Sequence, residues 1–318
     1  MTRVLLTGAS GSFGRYLAAE LLERDCELVV LVRKRDVDLP GVTVVRGDVA
    51  GRLPDLPPVD IVVHSAATTD FGLSLADARA TNVEGTRTML RLARRMPHLE
   101  KFAHISTAFV AGRRRGLMLE TELRHDAGFV NAYEQSKYEA EQLTRVAARE
   151  LPVVNVRPSV VVEPRGGRSA LWFALGLIER GLLPALPGAP HNPLDIVPAK
   201  DAARAAADLI LEPGVLGTFH VASGPRAPRI ADVVRTGTGR TVRFVEEHRF
   251  PVELARLHEK NPGAARSYDA LATFVRALAY PKRFDTTLAE YALGRRPCEV
   301  DPLDALVADA AMLAVAGR

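Results

Sequence analysis

Val4-Leu5-Leu6-Thr7-Gly8-Ala9-Ser10-Gly11-Ser12-Phe13-Gly14-Arg15 is the stretch that decides the fold. Its first three residues read as a buried strand. Leu17, Ala18, Leu21 and Leu22 then mark one face of a helix. A glycine-rich turn between a buried strand and a helix is where a dinucleotide pyrophosphate sits. Gly8 permits the tight turn, Gly11 lets the backbone approach the phosphates, and Gly14 lets helix and strand pack closely. The helix N-terminus then offers free N–H groups and a partial positive charge to the anion. Gly8, Ser10, Gly11, Ser12, Phe13 and Gly14 are therefore the candidate cofactor-binding residues of this loop. The spacing is G-x-x-G-x-x-G, and its place between strand and helix gives it meaning, because three turn glycines alone occur by chance.

Outward from this loop, strand-like and helix-like segments alternate. Apolar, β-branched runs at 27–32, 42–45, 59–64, 102–106 and 153–156 enclose helical periods at 13–23, 73–95 and 131–150. Strands apolar throughout are buried on both faces, as in a parallel sheet covered by helices. The pattern predicts an α/β fold, a doubly wound parallel (Rossmann) sheet, with a smaller, mostly helical C-terminal substrate domain. The dinucleotide-binding domain is expected over 1–162, completed by about 194–223, and the substrate domain over 224–318 with about 163–193. Within that second part, 164–168 reads as a loop, 171–183 as a helix and 182–193, with four prolines, as irregular. Short strands are expected at 195–198 and 218–221, a helix at 201–211, and mostly helices beyond 225 with one strand near 241–245.

At 318 residues the chain can bury one large core or two modest ones, and its 47% hydrophobic and 25% charged content is ordinary for a globular protein. Two cysteines, Cys26 and Cys298, point to a reducing, cytoplasmic setting without a disulfide framework. Met1-Thr2-Arg3 runs straight into a strand without the regions of a signal peptide. The most apolar stretch, 170–186, is too short and broken to span a membrane. A net charge of +4 suits phosphate-bearing ligands, but no basic stripe with interleaved aromatics suggests nucleic-acid binding. No histidine or carboxylate cluster has metal-ligand spacing.

Tyr133-Glu134-Gln135-Ser136-Lys137 is the second strong signal. Four residues apart on a helix, Tyr133 and Lys137 project from one face. A nearby ammonium is expected to favour the phenolate and lower a phenol pKa of about 10 toward the working range. Lys137 is also placed to hydrogen-bond a cofactor ribose. Ser106 and Thr107 end the fifth strand, where a hydroxyl can donate to a carbonyl oxygen and stabilise a developing oxyanion. Adjacent strand residues point to opposite sides, so one serves; Thr107 is the first candidate and Ser106 the reserve.

With Gly47-Asp48, Val63-His64-Ser65-Ala66-Ala67 and Asn82-Val83-Glu84-Gly85-Thr86, these motifs resemble those of the extended short-chain dehydrogenase/reductase superfamily, in its order and over residues 4–160. Within it the chain looks most like the branch of fatty acyl-CoA reductases and terminal thioester reductases. That likeness rests on 104–110, 133–141, Val156-Arg157-Pro158-Ser159 and 193–198. The resemblance implies that Asp48 and Val49 border the adenine, and that Ala66 and Ala67 line the cofactor. It puts Asn82 in the proton-relay region and Pro158 and Ser159 near the nicotinamide, and it implies a homodimer through the helices around 73–95 and 131–150. Val160-Val161-Val162-Glu163 lacks the glycine common after R-P-S in these families, which sets the substrate-side loop apart.

Charge argues the cofactor choice. An acidic residue ending the second strand would chelate the ribose hydroxyls of NAD, whereas here the strand runs into Arg33-Lys34-Arg35 and Arg15 follows the last glycine. Arginine pairs bidentately with phosphate, so NADPH is expected, with Arg33 and Arg15 as its readers. Arg113-Arg114-Arg115 is a weaker candidate for the phosphate of a pantetheine arm, and Trp172 and Phe173 for an acyl pocket. His64 and His104 read as core histidines. The expected activity is NADPH-dependent reduction of a carbonyl compound, foremost an acyl thioester on coenzyme A or a separate carrier. The rivals are an aldehyde or ketone reductase, a nucleotide-sugar epimerase or dehydratase, and a non-catalytic NADP-sensing module.

Overall fold

In the computed structural model, which describes residues 1–307 apart from 35, 36, 38, 165, 166, 168 and 261, the apolar runs line up as a seven-stranded parallel sheet. The chain begins β1 (Arg3–Thr7), α1 (Ser12–Leu22), β2 (Glu27–Val32), β3 (Thr43–Arg46), β4 (Ile61–His64), α2 (Leu75–Ala93) and β5 (Lys101–Ile105). It continues through β6 (Gly116–Met118), α3 (Ala132–Ala147), β7 (Val153–Pro158), β8 (Val160–Val162), α4 (Ala170–Glu179), β9 (Ala185–Pro187) and β10 (Ile196–Pro198). Then come α5 (Ala199–Leu211), β11 (Gly217–Val221), α6 (Ile230–Thr238), β12 (Arg243–Val245), α7 (Phe250–Lys260) and α8 (Ala265–Arg276). Last are β13 (Lys282–Phe284), α9 (Thr287–Leu293) and α10 (Asp304–Val307).

The sheet order is β11-β7-β5-β4-β1-β2-β3, every pair parallel. The order reverses between β1 and β4, and the crevice above their C-terminal ends is where such sheets take ligands. Alternation along β2 shows why both faces are covered. Leu28, Val30 and Val32 join the core beneath α1 and α5, while Val29 and Leu31 join the core beneath α2 and α3. Each such side chain contributes about 1.5–3 kcal/mol. A further apolar cluster packs α4, α6 and α8 around Leu175, Val234, Leu271 and Val275.

Three short parallel ribbons, β10–β8, β12–β9 and β13–β6, lie outside the sheet. The stretch 182–193, expected to be irregular, carries β9, because Ala185, Leu186 and Pro187 pair in register with Arg243, Phe244 and Val245. β6, β8 and β13 are likewise unforeseen; three residues are too few to show a period. Part of the loop expected at 164–168, Arg35 and residues 308–318 lie outside the described residues. No helix among the described residues is long and apolar enough to cross a membrane, and none of their side chains form a metal-binding group.

Candidate active site

A cavity of about 910 Å³ opens above the switch point. Its floor is the glycine loop. Gly8 has φ +79°, and a Cβ there would stand 2.7 Å from the Ser65 and Ala66 backbone. A Cβ on Gly14 would run into the Gly8 carbonyl. Gly11 donates its N–H to Gly8 O at 2.9 Å and caps α1 without a side chain, so the first N–H groups of the helix stay available. This cradle fits a dinucleotide diphosphate.

Gly8, Gly11, Ser12, Phe13 and Gly14 line the cavity, as do Ala67, Pro158 and Ser159. Ser10, Ala66, Val49, Asp48, Arg33, Asn82 and Arg15 are not in its wall. Ala66 is held against Gly8 by its N–H on Thr7 Oγ1 at 3.1 Å. Buried Val49 packs on Gly85 of α2, where a Cβ would come within 3.0 Å of its Cγ2. Exposed Arg33 stands 3.8 Å from Asp48.

Two expected cofactor contacts are redirected. Asn82 spends its amide within the protein: Nδ2 donates to Ser136 Oγ (2.9 Å) and Thr68 O (3.2 Å), and Oδ1 accepts from Thr68 N (2.8 Å). It therefore clamps α2 to α3. Arg15, read as a phosphate reader, pairs with the Glu163 carboxylate, which also accepts from Ser12 Oγ at 3.0 Å. The Glu163 side chain is 2% exposed, and a carboxylate that buried needs such partners.

The chemistry-bearing groups meet on the opposite wall. Asn131 starts α3 by accepting from Glu134 N at 2.9 Å, while Glu134 accepts from Val130 N at 2.9 Å. This capping box fixes where Tyr133 emerges. Lys137 Nζ donates to Ile105 O at 2.7 Å and lies 3.4 Å from His104 Nε2. Burial lowers its pKa to about 8, against the opposing pull of Glu141. Burial likewise pushes Tyr133 up to about 12, with the neighbouring Thr107 hydroxyl opposing the shift. The expectation of a lowered tyrosine pKa is thus overturned: desolvation of the phenolate, with the Glu134 carboxylate adding to it, outweighs the Thr107 hydrogen bond. Thr107 Oγ1 accepts from Phe109 N at 3.2 Å, and its hydroxyl is also hydrogen-bonded to Tyr133.

Ser106 is committed elsewhere. Its hydroxyl donates to Glu141 Oε2 at 2.7 Å, and that carboxylate is forked by Arg157 at 3.0 and 2.6 Å. Of the three arginines past β5, Arg114 pairs with Glu122, Arg115 sits over the Tyr280 ring at 5.2 Å, and Arg113 is exposed. His64 and His104 are buried neighbours on β4 and β5, both with pKa lowered by burial first and Lys137 second. Beyond Tyr133 the cavity turns apolar between Phe71, Trp172, Leu175, Leu271 and Phe274. The sequence reading missed the Glu141–Arg157 pair and the partners of Glu163. The Asn131-x-x-Glu134 spacing was a legible signal; nothing local tells Glu141 that Arg157 lies opposite.

A family model described as "Male sterility protein" matches residues 56–206. Fatty acyl-CoA reductase 1 of Homo sapiens is 27% identical over 315 residues, covering 76% of this chain and 58% of the relative. The terminal R domain of the myxalamid PKS-NRPS pathway superposes with a TM-score of 0.80 at 25% identity, over 100% of this chain and 91% of that one. The chain is thus similar to acyl-CoA reductases and shares its fold with a terminal R domain. An isonitrile lipopeptide synthase of Streptomyces coeruleorubidus is 29% identical over 318 residues, 85% of this chain and 20% of the synthase. The chain thus spans 58% of the human acyl-CoA reductase and a fifth of the synthase.

Proposed function

We propose that this chain is a reductase that uses NADPH to reduce an acyl thioester, bound to coenzyme A or a carrier, to an aldehyde or onward to an alcohol. The observation that carries this reading is the continuity of one cavity from the glycine loop, past Thr107, Tyr133 and Lys137, into an apolar arm beside α4 and α8. Such an arm suits an acyl chain, and the likeness to acyl-CoA reductases and a terminal R domain supports it.

A nicotinamide cofactor on the glycine loop would supply the hydride. Thr107, held by Phe109 N–H and hydrogen-bonded to Tyr133, turns its hydroxyl to the carbonyl oxygen when substrate binds. Tyr133, with its pKa near 12, stays a protonated phenol at neutral pH and gives its proton to the oxygen as negative charge develops there. Lys137, held by Ile105 O, would hold the cofactor ribose. For a thioester, the resulting hemithioacetal breaks its C–S bond, the sulfur leaves as thiol and an aldehyde forms. Ser106, engaged by Glu141, has no part in this assignment.

NADPH over NADH rests on Arg33 alone, which follows β2 and is exposed; Arg15 is paired. β11 in the main sheet supports taking 1–162 with 194–223 as the dinucleotide-binding part, and 163–193 with 224–318 as the substrate part. The test is NADPH consumption against matched acyl-CoA thioesters and free aldehydes, with thiol release followed in parallel. Thioester turnover with one thiol per product supports the reading. Turnover of aldehydes alone would replace it with carbonyl reduction.

A further inference from the structure

Glu163 directly follows β8, and its surroundings are built for it. Its carboxylate takes the hydroxyl of Ser12 at 3.0 Å and the guanidinium of Arg15, both in the first turns of α1. Its carbonyl accepts Trp172 Nε1–H at 2.8 Å. A Cβ on Gly167 would stand 2.6 Å from the Glu163 Cβ, so only glycine lets that segment lie against it. Glu163 lines the same cavity as Gly8, Gly11 and Gly14. A buried carboxylate therefore already engages Ser12 in the wall of the cradle, together with the neighbouring Arg15.

We infer that Glu163 is an internal counter-anion that competes with the cofactor diphosphate for Ser12 and Arg15, weakening cofactor binding so that it exchanges. Two anions sharing one set of donors repel, and the low dielectric of a partly closed site magnifies the repulsion. A reductase that consumes its cofactor must release the oxidised form every turnover, and a resident carboxylate re-forms the Ser12 and Arg15 contacts as the diphosphate leaves. Through Glu163 the glycine loop is also joined to Trp172 on α4. The inference rests on the nicotinamide-cofactor reading and is independent of the thioester.

The test uses the full chain and its single tryptophan, Trp172. Trp172 emission, quenched by energy transfer to bound NADPH, gives the cofactor Kd, and displacement gives that of NADP+. Glu163→Gln, which keeps an acceptor for Ser12 but removes the charge, should tighten both by about tenfold, equivalent to about 1.4 kcal/mol. Glu163→Ala should tighten them too. Arg15→Gln should cost more affinity in the Glu163→Gln background than in the wild type, because there Arg15 is no longer shared. Unchanged or weaker binding in both Glu163 variants, with melting temperatures intact, would overturn the inference. A wild-type chain that binds neither cofactor would overturn the cofactor reading and this inference together, a result distinguishable from the first.

Discussion

Glu141→Gln tests the buried support behind the candidate site. Glu141 and Arg157 are 0% and 2% exposed, and the guanidinium cannot lose its proton. In the wild type Arg157 reaches Glu141 through Nε at 3.0 Å and Nη2 at 2.6 Å, with Glu122 O at 2.8 Å and Glu120 O at 3.3 Å taking further donors. Glutamine leaves those two carbonyls and one acceptor, but no charge to balance the cation. Breaking a buried pair from one side costs about 3–5 kcal/mol, a large share of a total stability of about 5–15 kcal/mol. At about 2 °C per kcal/mol for a chain of this size, the melting temperature should fall by about 6–10 °C.

Circular dichroism melts and urea titrations measure the change. Burial opposes ionisation of Glu141, yet Arg157 holds its carboxyl below the usual range. The contribution is therefore complete above the unfolded value of about 4.3 and is lost only as pH falls through the lower folded value. The gap between wild type and variant should be full at neutral pH and close in acid. Glu141→Met with Arg157→Leu should recover most of the loss, because no charge is then stranded. A melting temperature within about 2 °C of wild type for Glu141→Gln would refute the reasoning.

Thr107→Val should lower kcat by about 10²–10³-fold, the cost of one oxyanion donor. Ser106→Ala should spare kcat but destabilise by about 1–3 kcal/mol through the orphaned Glu141 acceptor; steady-state rates and melts separate the two. Turnover should fall on the alkaline side with a midpoint near pH 8, as Lys137 loses its proton, and a profile flat to pH 10 would contradict that role. The same lowered pKa makes stability rise with pH from about 8 toward 10.5, since the unfolded lysine there binds more protons than the folded one.

The sheet was legible because its strands are apolar on both faces, as β2 shows, and because the glycine loop can follow only a strand that turns at once into a helix. The Tyr133–Lys137 pair was legible because four-residue spacing within one helix needs no tertiary knowledge. What escaped depends on residues far apart in the chain. Ser106 and Thr107 are equivalent in sequence until Glu141, 35 residues on, claims one hydroxyl. Arg15 reads as a free cation until Glu163, 148 residues on, pairs with it. The tyrosine pKa rises for the same reason: helix spacing places Lys137 on the same face, but only the fold buries the phenol and sends the ammonium to Ile105 O. The three-residue ribbons carry too little pattern to be read at all.

The assignment of chemistry to Tyr133 is tested most directly by Tyr133→Phe, measured for turnover and for NADPH affinity in one preparation. Loss of the proton donor should cut kcat by about 10²–10⁴-fold while the cofactor Kd stays within about twofold of wild type. A variant that turns over within about tenfold of wild type would contradict the account, because some other group would then be delivering the proton.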